Sequence, residues 1–295
     1  MVLANDWKDY KILATGDGYK LEDWNGVVLC RPDPQVIWPY SGGDIKKDKR
    51  IDAIYERDPS GGGKWVSKNK KNIDEWTVNY NDLTFSLKPM GFKHTGLFPE
   101  QAANWDTMRD IVRYFKANSI IQPDKIKVLN LFAYTGGATV ALAKEGVFVT
   151  HVDAAKGMVD RAKKNCILSG IGDSAVRWIV DDCKKFILRE QKRVSKYDAI
   201  ILDPPSYGRG PDGSLFKLED NLFELIELAT SILSDTPLFV LLNSYTTGLG
   251  ASVMQNILNM CLKNKKGTTT AYELALPTLE NGVILPCGNS ALWTS

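Results

Sequence analysis

The chain has 295 residues, of which 44% are hydrophobic, 24% charged and 10% aromatic, as in an ordinary globular protein. A net charge of +2 is small for an obligate nucleic-acid coat, and no apolar run approaches the roughly 20 residues of a membrane helix. The N-terminus lacks the apolar core of a secretion signal. The five cysteines show no CxxC spacing, so we expect reduced thiols, no metal site and a cytoplasmic location.

Residues 1–90 are predicted to form a small β-rich N-terminal domain that could bind substrate. The stretch between the first two strands is rich in glycine and charge and is interpreted as a turn. Two alternating segments on either side of Asn81 and Asp82 predict a hairpin. The expected strands are 10–15, 26–31, 51–57, 76–80 and 83–87.

Positive charge is concentrated in residues 44–71. This stretch has nine Lys or Arg and five Asp or Glu, which gives 9 − 5 = +4. The excess would suit a surface that faces phosphates. A solvated loop explains the charge equally well.

The segment 91–105, GFKHTGLFPEQAANW, joins the two halves of the chain. It contains the pair Thr95-Gly96, then Pro99, which suits the first position of a helix. Gln101 lies in the first turn, and the helix is expected to reach about residue 119. A glycine-bearing loop before a helix can hold a small polar or anionic group. We favour that interpretation over a plain hinge because many polar groups cluster here.

Strands and helices alternate from about residue 125. Nearly continuous apolar strands such as VLNLF and AIILD are typical of parallel strands covered on both faces. We therefore predict that 91–295 form an α/β domain, with a doubly wound, seven-stranded, mostly parallel sheet. Two later segments, 269–276 and 291–294, would add an antiparallel pair at one edge. The expected parallel strands are 127–133, 147–153, 176–180, 197–203 and 238–243, and the helices between and after them are 138–146, 155–169, 183–194, 219–234 and 250–263.

Ligands of such sheets bind at the carboxyl ends of the strands. The first strand is followed by a glycine turn at 133–137, which permits close backbone approach. The second ends at Asp153, placed to accept hydrogen bonds from ribose hydroxyls or to cap the next helix. The third is followed by Asp181, Asp182 and Cys183, where a carboxylate could accept from an adenine amine or cap a helix.

The fourth strand is followed by the most specific local signal, LDPPSYG at 202–208. Pro204 and Pro205 stiffen the loop and remove two backbone donors. The carbonyls of Asp203 and Pro204 can then orient a donor on a substrate. Tyr207 follows within reach of a planar ring.

Other nucleotide sites are disfavoured by missing motifs. The dinucleotide pattern GxGxxG is absent from the turn after the first strand, where a nicotinamide-binding fold would carry it, which makes a nicotinamide oxidoreductase an unfavoured alternative. The phosphate-loop pattern GxxxxGK[ST] is absent as well. Groups suited to adenine, ribose and a zwitterionic tail together predict S-adenosylmethionine as the cofactor.

The same residues carry a family resemblance, which covers about 90–295. NLFAYTGG at 130–137, HVDAA at 151–155, DDC at 181–183, DPPSY at 203–207 and KHTGLFPEQ at 93–101 stand in order. In this the chain resembles class I S-adenosylmethionine-dependent methyltransferases, specifically the bacterial enzymes that modify 23S ribosomal RNA. The resemblance implies a Rossmann-like methyltransferase fold and RNA as partner.

The resemblance also implies a role for each matching position. Separate sets of residues would bind the methionine part, the ribose and the adenine of the cofactor. Two further sets would cover the cofactor and face the methyl acceptor. In that order, these sets are Phe132, Tyr134, Thr135 and Gly136; Asp153; Asp182 and Cys183; Thr95, Gly96 and Gln101; and Asp203, Pro204, Pro205 and Tyr207. Ala154 and Asp203 are also expected to contact the cofactor.

One departure from the family pattern bears on mechanism. Some relatives methylate carbon 5 of cytosine through a cysteine after the fifth strand, where this chain has Asn243, Ser244 and Tyr245. We therefore expect direct in-line transfer to an RNA base, in ribosomal RNA, without a cysteine nucleophile. The alternatives are a methyltransferase acting on a protein or small molecule, and a non-catalytic RNA-binding module.

Overall fold

The computed structural model describes residues 1–58, 62–118, 123–209, 215–280 and 282–295. The chain divides into two compact units. The first consists of Val2–Ala103 and Ala275–Cys287; the second consists of Asn104–Leu274 and Gly288–Ser295, together with Met1. The expected domain boundary after residue 90 falls inside the first unit and stays a prediction about domain organisation.

The first unit is built mainly from β-strands, as predicted. A five-stranded sheet has the order β2-β3-β4-β5-β6, antiparallel except for the parallel pair β4–β5. Strands β7 and β8 form the expected hairpin, with Tyr80 paired to Leu83 and Asn81 left-handed at φ 52°. The strands are β1 (Val2–Leu3), β2 (Tyr10–Gly16), β3 (Tyr19–Trp24), β4 (Val27–Pro32), β5 (Ala53–Arg57), β6 (Gly63–Ser67), β7 (Trp76–Tyr80) and β8 (Leu83–Leu87).

The prediction of a turn between the first two strands was wrong, because β3 lies there. Its sequence YKLEDW has the charge of a loop, but Glu22 is fully buried in this unit. Arg31 donates to both carboxylate oxygens of Glu22, at 2.5 and 2.7 Å, and the Tyr10 hydroxyl donates at 2.7 Å. These partners on neighbouring strands make a buried carboxylate tolerable.

The second unit follows the predicted strand–helix alternation. The predicted elements begin and end within four residues of the observed positions, except that the last strand begins at Ile284, seven residues before the expected start at 291. The two short strands Tyr207–Arg209 and Leu215–Lys217 were not predicted. The predicted end of the first helix, near residue 119, lies outside the described residues. The elements that lie wholly or mostly in this unit are α1 (Ala102–Asn118), β9 (Lys127–Leu131), α2 (Gly137–Lys144), β10 (Phe148–Asp153), α3 (Lys156–Leu168), β11 (Val176–Val180), α4 (Cys183–Lys192), β12 (Ala199–Leu202), β13 (Tyr207–Arg209), β14 (Leu215–Lys217), α5 (Leu218–Thr230), β15 (Phe239–Ser244), α6 (Ala251–Cys261), β16 (Thr268–Pro277) and β17 (Ile284–Thr294).

The main sheet has the order β16-β17-β15-β12-β9-β10-β11, with β1 beyond β16 as an eighth strand of the described chain. The neighbouring strands from β15 to β11 pair in parallel, whereas β17 pairs antiparallel with β15. Strand order reverses between β9 and β12, so their carboxyl ends form the switch point where ligands of such sheets bind. The predicted doubly wound fold with an antiparallel edge is confirmed.

Apolar strands explain why this sheet forms. β12 (AIIL) and β15 (FVLLNS) are buried along their whole length. They pack with one face each of α4, α5 and α6, through residues such as Phe186, Ile226 and Met254. Among the described helices, none is long and apolar enough to cross a membrane.

Candidate active site

The loop between β9 and α2 has an unusual backbone. Phe132 and Tyr134 are left-handed, at φ 55° and 50°, although neither is glycine. Gly136 follows at φ 82°, and a Cβ on it would lie 2.7 Å from the Cβ of Ala162. The carbonyl of Thr135 accepts a hydrogen bond from buried Asn165 at 2.9 Å. This strained turn is held from outside, as is common where a backbone is shaped for a ligand.

Asp153 joins this loop to the end of β10. One carboxylate oxygen accepts from the Tyr134 amide at 2.8 Å, and the other accepts from the Ala155 amide at 2.9 Å. Burial raises the pKa of Asp153, while these two amides act to lower it. The alternative role as helix cap is wrong, because Ala155 is the N-cap of α3. Each oxygen keeps a second lone pair that could accept from a hydroxyl.

The carboxylates after β11 have separate structural roles. Asp182 is the N-cap of α4 and accepts from the Lys185 amide at 2.8 Å, so the capping alternative is confirmed. Asp181 accepts from the Asp182 amide at 2.9 Å and pairs with Arg189. Adenine binding by Asp182 stays a prediction, since the cap occupies only Oδ1.

Cys183, at the start of α4, contacts the loop that follows β9. Its thiol is buried and accepts from the Phe132 amide at 3.3 Å. Burial raises the pKa of all five cysteine thiols: Cys30, Cys166, Cys183, Cys261 and Cys287. At neutral pH they are therefore thiols rather than the nucleophilic thiolate.

The Asp203-Pro204-Pro205 turn lies beside the glycine loop. Leu202 of β12 pairs with Leu131 of β9, so the loops after these two strands begin at the same edge of the sheet. The Asp203 carboxylate accepts from the Asn243 side-chain amide at 2.9 Å. Pro204 is buried and Pro205 is exposed.

Tyr207 begins a short hairpin after this turn. It pairs with Lys217 of β14, and the residue is 57% exposed. Thr246, after β15, donates to the Ser206 hydroxyl at 2.7 Å, and the Ser206 carbonyl accepts from the Leu218 amide at 3.1 Å. The hairpin is thus anchored at its base while the aromatic ring faces solvent.

The three predicted cofactor-covering residues lie in the first unit. Thr95 is fully buried there, and its hydroxyl has no hydrogen-bond partner within the described residues. Gly96 is left-handed at φ 99°, and Gln101 ends a 3₁₀ turn that precedes α1. Burial and the charge of Arg31 lower the pKa of neighbouring His94 to about 4, so its imidazole is neutral at pH 7. The covering role stays a prediction.

Sequence reasoning missed the contact between Asn243 and Asp203. Asn243 was expected at the end of the fifth strand, where it stands in place of a cysteine, but it was given no role. No local pattern marks an asparagine as a partner of a residue 40 positions away. The available signal was its place at the carboxyl end of a strand next to β12.

The second unit fits the predicted cofactor on its own observations. The Phe132 amide donates to the Cys183 thiol at 3.3 Å, and the Tyr134 amide donates to the Asp153 carboxylate at 2.8 Å. These contacts bring the ends of three strands into one small region. Ala154 is exposed beside Asp153. A carboxylate with free lone pairs and an exposed turn is a suitable donor and acceptor set for a ribose and its neighbouring groups.

Comparison with known proteins agrees with this fit. Residues 46–248 match the family described as S-adenosylmethionine-dependent methyltransferase. A crystal structure of a SAM-dependent methyltransferase from Agrobacterium tumefaciens is 30% identical, with a TM-score of 0.90, over 100% of this chain and 93% of that one.

Curated relatives share shorter stretches. Ribosomal RNA large subunit methyltransferase K/L of Colwellia psychrerythraea is 26% identical over 58% of this chain and 22% of its own length. Ribosomal RNA large subunit methyltransferase I of Klebsiella pneumoniae is 35% identical over 28% of this chain and 20% of its own. The chain thus spans about a fifth of the length of these relatives in each match. Because the family match covers more than half of the residues, the chain belongs to the S-adenosylmethionine-dependent methyltransferase family.

Proposed function

We propose that this chain transfers a methyl group from S-adenosylmethionine to a base of RNA, with ribosomal RNA as the substrate. The observation that carries the proposal is the stiff Asp203-Pro204-Pro205 turn followed by the exposed ring of Tyr207. The names of the curated relatives support ribosomal RNA. The match to one family and its cofactor supports methyl transfer.

The work of the protein in this reaction is mainly positioning. Bound S-adenosylmethionine supplies a methyl group that is already electrophilic. The Asp203 carboxylate and the Pro204 carbonyl hold the acceptor, and Tyr207 stacks on its ring after the base leaves its own stack. Alignment of two bound reactants can by itself account for a large part of a rate enhancement.

The proposed transfer is direct and uses no cysteine. Every cysteine of the chain has a raised pKa, which supports this. Cys183 contacts the Phe132 amide and is buried in the core, which is a poor place for a nucleophile. A nitrogen or oxygen of the base is therefore the expected acceptor.

The direct test uses methyl-labelled S-adenosylmethionine and fractionated lysate from cells that lack the gene. We expect label in RNA that ribonuclease releases, with digestion identifying the methylated base. Label in protein or in small molecules, with none in RNA, would support S-adenosylmethionine as the cofactor and would contradict RNA as the substrate.

The Tyr207 ring is expected to contribute stacking. Tyr207→Ala should lower kcat/KM for RNA by roughly 5- to 150-fold, because base–aromatic stacking is worth about 1–3 kcal/mol. The affinity for S-adenosylmethionine, measured by calorimetry, should not change. Tyr207→Phe keeps the ring and is the matched control. Equal losses of activity and cofactor affinity in Tyr207→Ala would contradict the assignment.

A basic surface of the first unit could bind the phosphates of RNA. In the stretch 44–71, Lys47, Arg50 and Lys71 are ion-paired with carboxylates. Lys46 has no ion pair among the described residues either, but its ammonium group lies over the Tyr19 ring. The basic edge, as we name it, is the set of the other cations of this stretch with no ion pair among the described residues: Lys49, Arg57, Lys64, Lys68 and Lys70. Lys64 and Lys68 lie on and just after β6, the outer strand of its sheet.

We expect the double variant Lys64→Ala/Lys68→Ala to bind RNA more weakly. Its salt dependence should also become shallower, by about 0.7 in the log–log slope for each lost phosphate contact. Fluorescence anisotropy over a range of salt concentrations measures both. Lys263→Ala/Lys266→Ala removes the same charge from exposed positions after α6. Equal behaviour of the two double variants would mean that the basic edge is only a solvated surface.

A further inference from the structure

A chain of hydrogen bonds runs through the second unit and ends at the proposed acceptor site. The Tyr272 hydroxyl donates to the Asn104 carbonyl oxygen at 2.8 Å. Asn104 donates to the Ser290 hydroxyl at 3.0 Å, and Ser290 donates to Asn243 at 2.9 Å. Asn243 finally donates to Asp203 at 2.9 Å.

The members of this chain are held where water does not compete. Asn104, Ser290 and Asn243 are each no more than 1% exposed. Asn243 and Ser290 are directly paired residues of the antiparallel strands β15 and β17, so the sheet itself sets their separation. Asn104 lies near the start of α1, and Tyr272 lies on β16.

The direction of donation in this chain follows from its two ends. Burial raises the pKa of Tyr272 to about 12, so its hydroxyl is protonated and can donate. Asp203 at the other end is a carboxylate, which when ionised can only accept. If the Asn243 amide were reversed, its carbonyl would face the carboxylate, and the Ser290 proton would lose its acceptor.

We propose that Asn243 is a positioning residue for methyl transfer, which it serves by donating to Asp203 and fixing the orientation of that carboxylate. Ser290 and Asn104 prevent the Asn243 amide from rotating. The proposal rests on the assignment of Asp203 to the methyl acceptor. It gives a chemical reason for an asparagine at a position where a cysteine would serve another mechanism.

The sharpest test is Asn243→Asp, because it keeps the shape of the side chain and replaces the donor with an acceptor. We expect kcat for RNA methylation to fall about 10- to 100-fold, the loss of one hydrogen bond to a charged group. Affinity for S-adenosylmethionine should stay within about twofold of wild type. Asn256→Asp, the same change at an exposed position of α6, is the matched control and should leave kcat unchanged.

The pH profile separates donation from packing. Two carboxylates at hydrogen-bond distance share one proton, which raises the pKa of the pair. The proton restores a donor at position 243, so Asn243→Asp should regain activity relative to wild type as the pH is lowered. A loss of activity that is the same at every pH would indicate damage to packing and would overturn the proposal, as would wild-type kcat at every pH.

Two substitutions farther from Asp203 test the other hydrogen bonds of the series. Ser290→Ala removes the hydroxyl that accepts from Asn104 and donates to Asn243. Tyr272→Phe removes only the hydroxyl that donates to Asn104. The fall in kcat should therefore be largest for Asn243→Asp, smaller for Ser290→Ala and smallest for Tyr272→Phe. The reverse order would contradict transmission through Asn243.

A readout without activity keeps this proposal separate from the proposed function. The side-chain amide signal of Asn243, assigned by NMR from its loss in Asn243→Asp, should shift when Asp203→Ala is introduced. If it shifts while wild type methylates no RNA, the proposed function fails and the contact stands. If RNA is methylated but the signal does not respond to Asp203→Ala, the positioning role is overturned.

Discussion

Gly136→Ala is expected to lower the free energy of unfolding of the second unit and to abolish measurable binding of S-adenosylmethionine. A left-handed residue other than glycine costs about 1–2 kcal/mol. The added Cβ would also lie 2.7 Å from the Cβ of Ala162, and such overpacking costs about 1–3 kcal/mol. Together these predict a loss of about 2–5 kcal/mol. Denaturant unfolding and calorimetric titration of the cofactor measure the two effects.

Gly157→Ala is the matched control in the same unit. Gly157 lies in the first turn of α3, and a Cβ there would meet nothing within 4 Å. Because the helix tolerates alanine better than glycine, this variant should be neutral or more stable by up to about 1 kcal/mol. If Gly136→Ala unfolds like Gly157→Ala and binds the cofactor normally, the loop does not need its left-handed glycine.

A second large effect is expected at Glu22 in the first unit. Glu22→Ala should destabilise this unit by about 3–5 kcal/mol, because it removes one partner of a buried ion pair and leaves the Arg31 charge in the interior. Tyr10 would lose its acceptor as well. Thermal and denaturant unfolding measure the change. Glu56→Ala, at an exposed position of β5, should change stability by no more than about 0.5 kcal/mol.

The same ion pair predicts how stability depends on pH. Burial by itself would raise the pKa of Glu22, but the charges of Arg31 and Lys20 outweigh it and lower the pKa from 4.5 to about 2. A carboxylate with a lowered pKa stabilises the fold at pH values above its unfolded pKa. The contribution should therefore be complete above about pH 5 and be lost as the pH falls towards 2. Unfolding of Glu22→Ala should depend less on pH across this range than unfolding of wild type.

The sequence alone was enough to predict the architecture of the second unit. Apolar runs such as those of β12 and β15 can be satisfied only in a sheet that is covered on both faces, so strand positions follow from local composition. Parallel strands also bring their carboxyl ends to one edge of the sheet, and this predicts from the sequence that Asp153 and Asp203 lie at that edge.

Local charge misled the interpretation of the first unit. The segment with β3 was interpreted as a turn because it is rich in glycine and in charged residues such as Lys20, Glu22 and Asp23. The structure buries Glu22 against Arg31, which lies on the next strand at a separation of nine residues. No periodic pattern encodes that partner, since a buried charge is stable only when its counter-charge is brought to it by the fold.

The identity of the strand ends was thus determined by sequence, and what each polar group contacts was decided only by tertiary structure. Asn243 meets Ser290 because β17 returns antiparallel to β15 in one particular register. If β17 were shifted by one residue against β15, Ser290 and Asn243 would lie on opposite faces of the sheet. Register depends on packing summed over many residues distant in sequence, so no local pattern could have shown that Asn243 donates to Asp203.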